Sequence, residues 1–139
     1  MPRHRSARVA RKPARSRGGP APRAARAEGA PRAATVVLIL SAFPRKAAAE
    51  RAARSLVTER ILACATVTVS SRAYYRWNGR VVTGTSALLW GKTTKAMAKT
   101  AIQRIRESHP DRVPEILVLP VSGGDPGYLR WLGESVTKH

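Results

Sequence analysis

Three side chains in the middle of the chain are the best candidates to bind a metal ion: Cys64, His109 and Glu115. Copper and other borderline or soft divalent metals prefer thiolate and imidazole ligands, and Glu115 adds a carboxylate. No HxH, CxxC or HExxH pattern accompanies these residues, so a metal site here would combine ligands that are far apart in the sequence. The remaining candidate ligands are Met97 within the domain and His4 and His139 near the termini.

Cys64 and His109 each also have a purely structural interpretation. Cys64 lies in the apolar run Ala63–Val67, where an isolated cysteine more often packs as a small hydrophobic side chain. His109 precedes Pro110 at the predicted end of a helix, where it can bond carbonyl groups and favour the helix dipole. A single cysteine also excludes an intramolecular disulfide.

A second group of residues, Lys92 with Tyr75 and Trp77, is a candidate cleft for an anionic ligand. Lys92 is expected to end one central strand and Glu115 to precede an adjacent one, so both could converge with His109. A lysine in a cleft rich in backbone groups can hold a carboxylate or a phosphate. The alternatives are a structural ion pair for Lys92 and a core or interface role for the two aromatic residues.

A hairpin fixes the arrangement of the elements that must position these side chains. Asn78-Gly79 favours positive φ at both central positions of a two-residue turn, and runs of strand-forming residues flank it on both sides. Ser70-Ser71 indicates a bulge or kink in the first strand of the hairpin. Gly84 predicts an irregularity in the second.

Helical and extended patterns on both sides of the hairpin complete the order β-α-β-β-α-β. The first run is continuously apolar, which is typical of a strand buried on both faces. The two longer helices show apolar stripes at helical spacing, and the second is capped by Thr94 and ended by Pro110. The predicted elements are a strand over Thr35–Leu40, a helix over Arg45–Arg60, hairpin strands within Ile61–Trp77 and Val81–Thr93, a helix from Lys95 towards His109, a strand over Ile116–Val121 and a short C-terminal helix over Tyr128–Val136. The pattern predicts an α+β ferredoxin-like βαββαβ sandwich, with both crossing helices on one face of an antiparallel sheet.

The 139-residue chain carries a formal net charge of +18, and residues 1–34 and residues 35–139 each contribute half of it. Residues 1–34 hold ten Lys or Arg and one acid, and they lack apolar periodicity. We therefore expect a disordered basic tail over 1–34 and one domain over 35–139. Without a long apolar run, we expect a soluble, unsecreted, cytoplasmic protein with no membrane partner. The tail is also compatible with an organelle transit peptide, a plain extension, a misassigned start or a nucleic-acid-binding arm.

The hairpin also predicts self-association. Aromatic residues near its tip expose apolar surface and unpaired strand edges that a monomer of this size does not easily cover. Pairing with another subunit covers both, and closed cyclic symmetry prevents open-ended growth. The expected interface residues are Tyr74, Tyr75, Trp77 and Trp131.

Five short motifs occur in an order and spacing that resembles the CutA family of divalent-cation tolerance proteins. They are Cys64-Ala65-Thr66, Tyr75-x-Trp77-x-Gly79, Lys92-Thr93, His109-Pro110 followed by Pro114-Glu115, and Tyr128-Leu129-x-Trp131. The resemblance extends from Thr35 to about Val136. It implies a ferredoxin-like subunit similar to the PII signalling proteins, in a tight homotrimer whose long hairpins extend onto neighbouring subunits. It also implies an association with copper and other divalent metals.

The chain departs from this family pattern at four places. Relatives usually have proline-glycine at Val69-Ser70, serine at Ala73, an acid at Ser86 and tyrosine at Asp111. The missing acid and the missing aromatic residue should weaken or alter a cation site.

The leading functional prediction is a non-enzymatic trimeric protein that acts in the response to metal ions and binds copper or another divalent cation. The alternative is a PII-like regulator that binds a small anionic ligand in clefts between subunits. A nucleic-acid binder is the third class, but the third strand lacks the paired aromatics of an RNA-recognition signature, so we expect no specific nucleic acid. We predict no catalysis, because the sequence shows no nucleophile with a nearby base, no paired carboxylates and no cofactor fingerprint.

Overall fold

A computed structural model describes residues 35–137, and these residues follow the predicted order with a closing helix. The elements are β1 (Val36–Phe43), α1 (Lys46–Thr58), β2 (Cys64–Trp77), β3 (Arg80–Thr94), α2 (Lys95–Ser108), β4 (Ile116–Pro120) and α3 (Pro126–Ser135). The predicted α+β, ferredoxin-like class is confirmed. The predictions for the tail over 1–34, for His4 and for His139 lie outside the described residues. No helix within 35–137 is long and apolar enough to cross a bilayer.

The four strands form one antiparallel sheet in the order β2-β3-β1-β4. The hairpin pairs β2 with β3, while α1 and α2 carry the chain over the sheet and place β1 between β3 and β4. The strand that contains Lys92 and the strand that follows Glu115 are therefore not neighbours. The expectation that they are adjacent is wrong.

The two faces of the sheet differ in how they are covered. In β1, Val37, Ile39, Ser41 and Phe43 of one face are buried, whereas Leu38, Leu40 and Ala42 of the other face are only half-buried. Both crossing helices pack on the first face, so the prediction that this strand is buried on both faces is wrong for the single chain. We call the other face, which the crossing helices leave uncovered, the open face. By strand register it carries Leu38, Leu40, Leu88, Trp90, Lys92, Leu117 and Leu119.

The crossing helices bury the stripes that their sequences predict. Ala49, Ala52 and Leu56 of α1 are buried, and so are Met97, Ala98, Ala101 and Ile105 of α2. Thr94 occupies the N-cap position of α2, as predicted, but its side chain makes no capping hydrogen bond. The predicted N-cap position is therefore confirmed, and the predicted capping by the Thr94 side chain is wrong.

The end of α1 also fixes the position of α3. Arg60 follows α1 with a φ of 61°, and its N–H and that of Ile61 bond the carbonyls of Val57 and Leu56, as in a Schellman motif. The Arg60 guanidinium donates to the carbonyl oxygens of Glu134 and Ser135, at 2.9 and 3.2 Å. These bonds satisfy carbonyl groups at the end of α3 and attach that helix to the loop before β2.

The predicted turn and bulge of the hairpin are both confirmed. Asn78 and Gly79 have φ values of 49° and 75°, as a primed turn requires. The pairing of β2 with β3 shifts register between Thr68 and Ser71, and Ser70 lies in the left-handed region with a φ of 62°. Gly84 pairs with Ala73 in unbroken register, so the irregularity predicted there is wrong.

The bulge decides which side chains of β2 lie on the open face. Before it, Thr66 and Thr68 lie opposite Trp90 and Leu88 of that face. The bulge inserts one residue, and a one-residue shift exchanges the two faces of a strand. Beyond it, Tyr75 and Trp77 therefore continue the open face, while Tyr74 lies on the helix side.

Candidate functional site

An open groove of about 680 Å³ lies where the hairpin extends beyond the end of β1. β1 pairs with β3 only as far as Phe43 and Ala87, and Gly84 to Ser86 line one side of the groove beyond that point. Its lining also includes the connection between α2 and β4, through Asp111, Arg112, Val113 and Glu115. The groove brings together four of the predicted site residues: Tyr74, Tyr75, Trp77 and Glu115.

The groove contains charges of both signs. Arg72 and Arg112 line it together with Asp111 and Glu115. Arginines favour planar anions such as carboxylates and phosphates, whereas the carboxylates can accept hydrogen bonds or hold a hard cation. No pattern in the sequence brings the two arginines together, because their meeting depends on the bulge at Ser70 and on the course of the 109–115 connection.

Glu115 is held in place through its backbone. The hydroxyl of the fully buried Ser41 donates a hydrogen bond of 2.7 Å to the Glu115 carbonyl oxygen. This bond links the residue before β4 to the later part of β1. The Glu115 side chain is left exposed along the groove.

His109 uses both ring nitrogens within the chain. Its Nε2 lies 2.8 Å from the Ala42 carbonyl oxygen, and its Nδ1 lies 3.0 Å from the Asp111 amide nitrogen. A carbonyl oxygen can only accept and an amide N–H can only donate, so this pair of bonds requires the neutral ring protonated at Nε2. The ring also stacks on Phe43 at a centroid distance of 4.3 Å. In this arrangement His109 anchors the connection along the groove, and binding a metal would break one of the two bonds.

Cys64 lies away from the groove, at the first residue of β2. Its sulfur is 3.3 Å from the Tyr128 hydroxyl of α3, and Lys92 is its register partner in β3. Burial, together with the neighbouring thiol, raises the pKa of Tyr128 to about 12. The Asp125 carboxylate caps α3 by accepting from the Tyr128 backbone N–H at 2.9 Å.

Lys92 also lies outside the groove. Its Nζ donates to the Thr66 hydroxyl at 2.9 Å on the open face. Lys92 pairs with Leu38 of β1, whereas the groove reaches that strand only at Ala42. Four residues along a strand correspond to about 13 Å. The predicted ligand cleft is therefore divided, with Tyr75 and Trp77 in the groove and Lys92 beside Cys64.

The predicted metal ligands do not meet within one chain. Among residues 35–137, no three His, Cys, Asp or Glu side chains are grouped so that they could hold a metal ion. Met97 of α2 is almost completely buried in the core. As a set within a single subunit, Cys64, His109 and Glu115 do not fit a metal ion.

Comparison with known proteins identifies the family of this scaffold. The family model of the CutA1 divalent ion tolerance protein matches residues 37–135. The chain belongs to this family. The divalent-cation tolerance protein CutA of Pectobacterium atrosepticum is 37% identical over 100 residues, which cover 72% of this chain and 91% of that protein. The CutA crystal structure from Xylella fastidiosa matches with a TM-score of 0.72 at 37% identity, over 74% of this chain and 99% of that one.

A plant CutA protein extends the comparison. The protein CutA 1, chloroplastic, of Oryza sativa is 31% identical over 99 residues, which are 71% of this chain and 56% of that protein. The predicted CutA resemblance is confirmed by the family model and by these relatives.

Proposed function

We propose that this CutA-family chain is a non-enzymatic homotrimer that acts in the response to metal ions by binding a divalent cation between its subunits. Cu(II) is the first candidate ion. The observation that carries this proposal is the apolar open face, which the crossing helices leave only partly buried. The family name supports the link to divalent cations.

The open face has the properties of an interface between subunits. Leu38, Leu40, Leu88 and Trp90 are half-buried, and Leu117 is 51% exposed. Contiguous apolar surface of this kind marks protein interaction sites, and a cyclic trimer would close it without open-ended growth. The outer edges of β2 and β4 have no strand partner within residues 35–137, so strand pairing between copies can add to the association.

The aromatic residues predicted at the interface divide into two groups. Tyr75 and Trp77, at 49% and 56% exposure, extend the open face along the hairpin, so we retain them in the proposed interface. Trp131 is 40% exposed, and its ring lies 5.6 Å from that of Tyr128. We also retain Trp131. Tyr74 lies on the helix side of the hairpin, so we omit it from this interface.

A cation site between subunits would resolve the separation of the ligands within one chain. Cys64 lies at the rim of the open face and offers a soft sulfur ligand, while Glu115 offers an oxygen ligand at the groove. A partner subunit on the open face can bring to Cys64 a donor that its own chain does not. His109 would join such a site only by giving up a hydrogen bond to Ala42 or Asp111.

A calorimetric Cu(II) titration tests the metal part of the proposal. The full chain is titrated at neutral pH in a non-coordinating buffer, with His4→Ala and His139→Ala in every sample to remove terminal chelation. We expect about one ion per subunit with micromolar or tighter affinity. Cys64→Ala should abolish this binding at unchanged mass, and Ser86→Ala on the groove wall is the matched control. A trimer that binds no copper would refute the metal site and leave the assembly intact.

A small anionic ligand in the groove is the second candidate function. The observation that favours it is the position of Arg112 in the same groove as Tyr75 and Trp77. A guanidinium group can pair with a carboxylate or phosphate while the aromatic rings cover an apolar part. Saturation-transfer NMR with a panel of nucleotides and carboxylic acids tests this possibility. Signals that disappear in Arg112→Gln would support it, and a panel without signals would refute it.

For location we propose the cytoplasm, with an organelle as the alternative if residues 1–34 act as a transit peptide. The alternative is supported by the arginine-rich tail and by the chloroplastic relative in rice. Imaging the full chain with a C-terminal fluorescent fusion, beside a version without residues 1–34, distinguishes the two.

A further inference from the structure

The side of the molecule opposite the open face is strongly cationic. Residues 45–59 and 95–108, which contain the crossing helices, hold eight Lys or Arg and three Glu, a net charge of +5. All eight cationic side chains are exposed, and two of the three acids are already paired with Lys46 and Arg104. A positive surface of this kind attracts polyanions.

The hairpin extends this cationic side beyond the helices. Because the bulge at Ser70 exchanges the faces of β2, Arg72, Tyr74 and Arg76 all lie on the helix side. We call these three residues the hairpin strip. Beyond Ala87 the strip projects past the end of β1, and Tyr74 is 69% exposed opposite Thr83. The arginines are two residues away on each side, a spacing of about 7 Å.

The groove adjoins the hairpin strip and has room for a flat ligand. Arg72 and Tyr74 both line it, and Arg112 and the exposed Val113 belong to the same lining. Asp111 and Glu115 are also present, and their carboxylates can accept hydrogen bonds from the amino groups of nucleobases. An exposed aromatic ring between two guanidinium groups, beside a groove with hydrogen-bond acceptors, matches the chemistry of an unpaired nucleotide.

We propose that the hairpin strip binds single-stranded nucleic acid without sequence preference. Tyr74 stacks on one base, and Arg72 and Arg76 contact the phosphates on either side of it. A duplex keeps its bases stacked inside and so offers no base face to Tyr74. This function goes beyond the metal response, and it uses the face of the hairpin opposite to Tyr75 and Trp77.

Fluorescence anisotropy with two labelled oligonucleotides tests the stacking contact in the full chain. One is a twelve-residue oligodeoxythymidine, and the other is an abasic strand of the same length and charge. Residues 1–34 contribute the same electrostatic attraction to both, so the ratio of the two affinities isolates the contribution of the bases. We expect the wild type to bind the thymidine strand about 5- to 150-fold more tightly, which corresponds to one stacked base.

Two substitutions of Tyr74 assign that preference. Tyr74→Ala should reduce the ratio to about one, and Tyr74→Phe should retain it, because phenylalanine keeps the aromatic face. Thermal unfolding checks that both variants remain folded. Equal affinity of the wild type for the two strands, or an unchanged ratio in Tyr74→Ala, would overturn the proposal and leave only electrostatic attraction.

The salt dependence tests the two arginines. For single strands each neutralised phosphate contributes about 0.7 to the slope of log K against log salt, so Arg72→Gln with Arg76→Gln should lower the slope by about 1.4. The matched control is Arg80→Gln with Arg130→Gln, which removes the same charge at exposed positions outside the strip. The control should keep the wild-type slope. Equal slopes in the two double variants would overturn the placement of the phosphates.

Discussion

Replacing Gly91 with alanine should destabilise the fold through a single close contact. Gly91 is buried at the centre of the sheet, paired with Ile39 of β1 and Ala65 of β2. A Cβ at this position would lie 2.9 Å from Leu62 Cδ1 and 3.0 Å from Leu62 Cδ2. Carbon atoms pack best at about 3.5–4.0 Å, so the leucine must move by several tenths of an ångström.

The size of the effect follows from the position of Leu62. Its side chain is 1% exposed within the core, so it has no solvent-facing alternative. Overpacking a core of this kind costs about 1–3 kcal/mol of unfolding free energy. For a domain of about 100 residues, each kcal/mol corresponds to roughly 4 °C or more in Tm. We therefore expect Gly91→Ala to unfold at least several degrees below the wild type.

Urea unfolding at fixed protein concentration measures this change, with Gly84→Ala as the matched control. Gly84 lies in the same strand without a positive φ, and an added Cβ there would have no heavy atom within 4 Å. The control should be neutral or more stable by about 0.4–1 kcal/mol. Leu62→Ala should also cost less in the Gly91→Ala background than in the wild type, because the new methyl fills part of the cavity. Equal stability of the two glycine variants would show that Leu62 does not oppose a side chain at position 91.

Three further predictions concern the bulge, a buried hydroxyl and a tyrosine. Ser70→Gly should be neutral or stabilise by up to about 1 kcal/mol, whereas Ser70→Val should cost about 1–2 kcal/mol, because glycine adopts a φ near 62° freely and a β-branched valine is strained there; urea midpoints in the reverse order would contradict the bulge. Thr93→Val should cost about 1–3 kcal/mol of unfolding free energy in the same assay, because the buried Ile61 carbonyl loses a 2.6 Å bond, and a wild-type midpoint would contradict that bond. The alkaline absorbance difference between the wild type and Tyr128→Phe should show a step near pH 12. Because the folded pKa lies above the reference value of 10.0, this group's contribution to stability is complete below pH 10 and is lost as the pH rises to about 12. Cys64→Ala should lower the step only partly, since burial is the larger cause, and a step at pH 10 in the wild type would contradict the buried hydroxyl.

Local signals account for the parts of the fold that the sequence predicted. Asn78-Gly79 determines the turn because its two residues adopt positive φ readily, and the serine pair marks the bulge. The helical stripes predict which residues of α1 and α2 are buried, since a helix repeats its face every 3.6 residues. The prediction of an irregularity at Gly84 was wrong, because a glycine can occupy a regular strand whose pairing is continuous.

Features that depend on how helices and strands pack against one another were harder to predict. The apolar run in β1 does not reveal that α1 and α2 cover only one of its faces. The aromatic residues of the hairpin appear together in sequence, but the extra residue at the bulge separates Tyr74 from Tyr75 and Trp77. This separation follows from register, which the sequence specifies only once the position of the bulge is known.

The residues of the candidate site were also hard to predict, because their positions depend on the order of the strands in the sheet. Cys64, His109 and Glu115 are sensible ligands by chemistry, but sheet order places Cys64 near the start of β1 and the other two near its end. The backbone partners of His109 are the Ala42 carbonyl in β1 and the Asp111 N–H in its own loop. No spacing in the sequence predicts these two contacts. Arg112 was missed for a similar reason, because a charged loop residue carries no periodic signal.

Sedimentation equilibrium of the full chain, beside a Leu40→Arg variant, tests whether copies of this chain associate through the open face. Leu40 lies in the middle of that face, and a buried, unpaired arginine there would be costly. Ala47→Arg, at an exposed position of α1, is the matched control. The wild type and the control should have three times the chain mass of 15.1 kDa, and Leu40→Arg should dissociate. A monomeric wild type, or a Leu40→Arg variant that keeps the full trimer mass, would contradict a trimer held together by the open face.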